Sequence, residues 1–81
     1  MTAALRVFRQ FDGFTAVVEL GGREYASAYS RQCPVDASED AIGRAIFCAI
    51  RHGRMAEESA IRGLIADFNP AEIMRSVGVT P

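Results

Sequence analysis

Residues 5–30, Leu5-Arg-Val-Phe-Arg-Gln-Phe-Asp-Gly-Phe-Thr-Ala-Val-Val-Glu-Leu-Gly-Gly-Arg-Glu-Tyr-Ala-Ser-Ala-Tyr-Ser30, decide the fold. Two dipeptides punctuate the stretch, Asp12-Gly13 and Gly21-Gly22. Both favour the positive φ angles of tight hairpin turns, and strand-forming residues flank each of them. The expected product is a three-stranded antiparallel meander with strands over Leu5–Phe11, Phe14–Leu20 and Arg23–Ser30. Two-residue turns at those dipeptides set the register: Phe11 faces Phe14, Phe8 faces Val17, and Val18 lies between Val7 and Tyr25. One face then carries Leu5, Val7, Phe11, Phe14, Ala16, Val18, Leu20, Tyr25 and Tyr29. The other carries Arg6, Gln10, Thr15, Glu19 and Glu24 around an apolar row, Phe8-Val17-Ala26. A slip of one residue would exchange the faces, so this sorting supports the register. Met1 to Ala4 reads as a loose leader.

After Ser30 the period changes from two to 3.6. Arg31 to Val35 is a connector, with Cys33 held extended by Pro34. A first helix is expected to begin at Asp36, in a capping-box arrangement with Glu39, or at Ser38. Ala41, Ile42, Ala45, Ile46, Ala49 and Ile50 recur at helical spacing, while Phe47 and Cys48 widen the apolar stripe. A helix so apolar is expected to be covered on both sides, by the sheet and by later helices. Gly53 stops it, with Arg51, His52 and Arg54 near its negative end. A second helix runs from Arg54 or Met55 to Phe68, on a narrow stripe of Ile61, Leu64, Ile65 and Phe68. Glu58 and Arg62 are spaced for a favourable i,i+4 pair. Asn69-Pro70-Ala71-Glu72 caps a short third helix, Pro70 to Val77, which ends at Gly78. The fold class is therefore α+β in the order βββααα: a three-stranded meander, two helices and a short third, packed on one sheet face.

Eighty-one residues, 49% hydrophobic and 23% charged, describe one small folding domain. No apolar run approaches the ~20 residues needed to cross a bilayer. The N-terminus lacks a basic region followed by an apolar core, so a soluble cytoplasmic protein is expected. The net charge of −1 argues against bulk phosphate binding, although all nine basic residues are arginine. Cys33 and Cys48 lack the spacing of a zinc site or a secreted disulfide framework.

Catalytic machinery is sparse. There is one histidine, His52, at a helix end. No HxxxH, CxxC, EF-hand, P-loop or GxSxG pattern occurs. Glu39-Asp40 and Glu57-Glu58 are adjacent pairs that do not face one another on a helix. A non-enzymatic chain without cofactor or metal is expected, acting as a protein-binding or regulatory module. Phe8, Val17, Arg6 and Arg9 are the expected partner-binding residues, because an apolar row with a polar rim has the character of a contact surface. Strand 3 carries charge only at its start and is the less protected edge. Self-association through that edge or through the Phe8 row is the corresponding homodimer reading. An alternative is nucleic-acid binding, should Arg31, Arg51 and Arg54 converge. In size and architecture the chain resembles small accessory proteins of bacteria and their phages, anti-CRISPR inhibitors among them. That resemblance implies action by occluding the surface of a larger machine.

Overall fold

The structure is a computed structural model that describes residues 1–79. Three strands, β1 (Ala3–Gln10), β2 (Gly13–Leu20) and β3 (Arg23–Ser30), form an antiparallel sheet in the order β1-β2-β3. Three helices follow, α1 (Pro34–Arg51), α2 (Met55–Ala66) and α3 (Pro70–Ser76). The helices lie on one face of the sheet, with α1 over β2 and β3 and with α2 and α3 against β1. The βββααα order is thus the one that the sequence predicts.

The register departs from expectation twice. In the first hairpin Gln10 pairs with Gly13, so the loop is Phe11–Asp12 and Gly13 belongs to β2. Phe8 faces Thr15, and Val17 faces Arg6. This shift of two residues keeps every β1 side chain on its expected face. The role of Gly13 is different from the one its turn propensity suggests. A Cβ there would lie 2.5 Å from the Tyr29 hydroxyl and 2.6 Å from the Ser30 carbonyl oxygen. Glycine is needed for the close passage of β3, and the left-handed conformation falls on Phe11 instead (φ 58°). Phe11 is 91% exposed rather than part of the core face. Because its ring buries almost nothing while its backbone is strained, Phe11→Gly should raise stability by about 0.5–1 kcal/mol. A urea titration that showed a loss would contradict this.

The second hairpin turns at Gly21-Gly22 as expected, with φ 58° and 82° and Leu20 opposite Arg23. Then a β-bulge intervenes: Glu19 pairs with Glu24 but Val18 pairs with Ala26, leaving Tyr25 as the extra residue. Everything beyond it changes face. Ala26 and Ala28 join Val18 and Ala16 beneath α1, whereas Ser27 and Tyr29 join Val17 and Thr15 on the open face. The row Phe8-Val17-Ala26 therefore does not form. The reason is the seam between helix and sheet. Ala37, Ala41, Ala45 and Ala49 are fully buried in α1, facing a sheet that also presents alanines. A seam lined by alanines has no room for the Tyr29 ring.

Strand β1 reaches back to Ala3, so the leader is shorter than predicted, and Gly21 N–H donates to the Thr2 carbonyl at 3.1 Å. Helix α1 starts at Pro34, with Cys33 extended before it and no side-chain cap. Proline at the first helical position is preorganised for this start. Ser38 is buried and bonds back to the Pro34 carbonyl at 2.8 Å, so it is not an N-cap. Asn69 does cap α3, accepting from Glu72 N–H at 3.2 Å. Glu58 and Arg62 form their pair at 2.7 Å.

Candidate protein-interaction surfaces

The four expected contact residues do not form one surface. On the open sheet face, the Arg6 guanidinium lies over the Phe8 ring, 5.2 Å from its centroid, and 3.7 Å from the Glu19 carboxylate. Phe8 is half-buried, and Val17, in the central strand, is only 3% exposed. Arg9 is on the helix side. Its Nε donates to the Val77 carbonyl at 2.8 Å, and its guanidinium lies over Phe14 at 5.1 Å, tying β1 to the end of α3. Of the four, Arg6 and Phe8 are the pair that shares accessible surface.

Most polar groups of the open face are occupied by one another. Thr15 Oγ1 donates to Gln10 Oε1 at 2.6 Å. Tyr29 O–H donates to Asp12, whose other oxygen meets Arg31 Nε at 2.8 Å. The Asp12 acceptor raises the pKa of the Tyr29 phenol. This group pins the Phe11–Asp12 loop onto the end of β3. It also engages Arg31, as Glu57 engages Arg54 at 3.5 Å, so two of the three arginines considered for nucleic acid already face carboxylates.

The outer edge of β3 is different. None of its backbone groups bonds to anything beyond β2 among the described residues. The bulge at Tyr25 interrupts the edge, but Ala26 to Ser30 remain a regular, uncharged run. Arg44 of α1 lies along it, lining shallow depressions with Ser27 on one side and Tyr29 on the other. Arg23 stands at the start of the strand. Neither arginine has a carboxylate within ion-pair distance among the described residues. The sequence located this edge through its small uncharged residues, but the contribution of Arg44 depends on how α1 crosses the sheet.

A second surface was not expected. The outer side of α1 is open: Phe47 is 67% exposed and Ile50 52% exposed. The later helices do not cover them, because α2 packs beside α1 on the β1 side and leaves its outward stripe bare.

Tyr25 sits where α1 and α2 meet the bulge. Its hydroxyl is buried and has no hydrogen-bond partner among the described residues. Burial first, then the neighbouring Glu57 carboxylate and Cys48 thiol, push its pKa up to about 12. Between pH 10 and 12 the unfolded chain releases this proton and the folded one retains it, so stability falls as pH rises through that window. Tyr25→Phe should leave stability near neutral pH unchanged or slightly higher, since a buried unpaired hydroxyl is removed. It should also flatten the decline between pH 10 and 12 in thermal melts.

Among the described residues no three His, Cys, Asp or Glu side chains group to hold a metal ion, and no helix is long and apolar enough to cross a membrane. No protein-family model, curated protein or solved structure matches the chain.

Proposed function

We propose that the chain is a non-enzymatic protein-binding module whose outer β3 edge receives an extended, acidic segment of a partner protein. The observation that carries this reading is the unpaired run Ala26–Ser30 beside Arg44. An added strand satisfies the free N–H and C=O groups of an edge, and neighbouring side chains supply selectivity. Exposed edges are usually blunted by charge, and β1 carries Arg6 and Arg9. The regular part of β3 carries no charge, while Arg44 and Arg23 beside it lack carboxylate partners among the described residues. An acidic segment complements both features.

The test is photo-crosslinking from position 27 in cells of the native host. Ser27 lies in the middle of the free run, and its side chain is not part of the core. A discrete protein adduct that resists nuclease and disappears with Arg44→Glu is expected. Arg44 is exposed and makes no ion pair among the described residues, so that variant should fold normally. Nuclease-sensitive adducts, or a protein adduct indifferent to Arg44→Glu, would contradict the reading.

A further inference from the structure

The exposed positions of α1 follow a second pattern. Asp36, Asp40, Gly43, Phe47 and Ile50 are all exposed and are spaced four, three, four and three residues apart. This is the seam spacing of two helices that pack along one another. The seam is acidic at its N-terminal end, where Glu39 also lies, apolar at Phe47 and Ile50, and ends on the basic Arg51. Asp36, Glu39, Asp40 and Arg51 make no ion pair among the described residues.

We infer that the chain forms a two-fold homodimer in which the α1 helices pack antiparallel along this seam. The pattern is complementary to its own reverse. Placing Gly43 of one copy opposite Phe47 of the second also places Phe47 of the first opposite Gly43 of the second. Each ring then fills the space left by the missing side chain of a glycine. The same register brings Asp40 close to Arg51 of the second copy, and the symmetry repeats the pair. A parallel arrangement would instead set acid against acid and arginine against arginine.

Gly43 gives independent support. A Cβ built on it meets nothing within 4 Å, and its φ is not in the left-handed region. Nothing among the described residues of a single copy calls for glycine, which is a poor residue for a helix interior. A ring from a second copy does call for it. Isologous interfaces need such self-complementarity, and two-fold dimers are the commonest closed assemblies. Gly43, Phe47 and Arg51 of the seam share a depression with Ala26 and Ser27, so this interface borders the β3 edge but is built from α1 and is not the expected edge dimer.

The test measures mass by sedimentation equilibrium at about 100 µM, where even a weak interface is populated. The wild-type chain should approach twice 8.8 kDa. Gly43→Leu should weaken the dimer at least about tenfold while the monomer stays folded, because the site is open and helical. Asp40→Arg and Arg51→Asp should each weaken it as well. Mixing those two single variants should restore a dimer, since each then meets an opposite charge at both ends. Wild-type protein that remains monomeric would overturn the inference. So would a dimer indifferent to Gly43→Leu, or charge variants that fail to recover on mixing.

Discussion

Gly13→Val should be the most damaging single substitution on the sheet, lowering stability by about 3 kcal/mol or more. The added Cβ would meet the Ser30 carbonyl oxygen at 2.6 Å and the Arg31 Cα at 2.7 Å. Both are backbone atoms, so no rotamer change relieves the clash. Either β3 separates from the start of β2, or the Tyr29–Asp12–Arg31 group is dismantled. Net stabilities of small domains are on the order of 5–15 kcal/mol, so a loss of this size removes much of the total. The result should be a lower denaturation midpoint with little change in the denaturant slope. A variant as stable as wild type would show that β3 passes farther from Gly13 than the structure places it.

Ile61→Ala should be nearly as costly, about 3–4 kcal/mol. Ile61 is the fully buried residue of α2, and the helix places no other described residue in that class. Leu64 and Phe68 are only half-buried, and Ile65 is largely exposed. With one anchor, α2 has little else to hold it against α1 and β1. The loss should therefore be local first. Amides of α2 should exchange faster than those of α1 in the variant, before global unfolding is reached. Equal acceleration in both helices would mean that α2 is held by more than this side chain.

The sequence was most readable where a local signal and the tertiary need coincide. Gly21-Gly22 turns because its φ angles demand it, and Asn69-Pro70 starts a helix because the cap and ring are local devices. Gly13 was harder: its turn propensity was visible, but the use made of it was not. The demand comes from β3, which is distant in sequence. The bulge at Tyr25 had no local signature either. It follows from the alanine seam, a feature that exists only once α1 lies on the sheet, and it reverses the faces of Ala26 and Tyr29. For the same reason the expected Phe8-Val17-Ala26 row could not be distinguished from the true arrangement by alternation alone. The heptad spacing along α1 was present in the sequence. Its meaning was hidden because an apolar stripe that wide reads as buried until the position of α2 shows which side stays open. The weak protection of the β3 edge was legible from composition, since small uncharged residues do not blunt an edge.

Amide hydrogen exchange along β3 in the purified protein tests the central claim, that this edge is unoccupied and available. Within Ala26–Ser30, amides directed toward β2 should be protected, and those directed outward should exchange nearly as fast as in an open chain. The measurement is made below the concentrations at which the α1 dimer forms, because that interface borders the edge. Protection of every amide in the run would mean that the edge is already covered, and the proposed route for a partner strand would be closed.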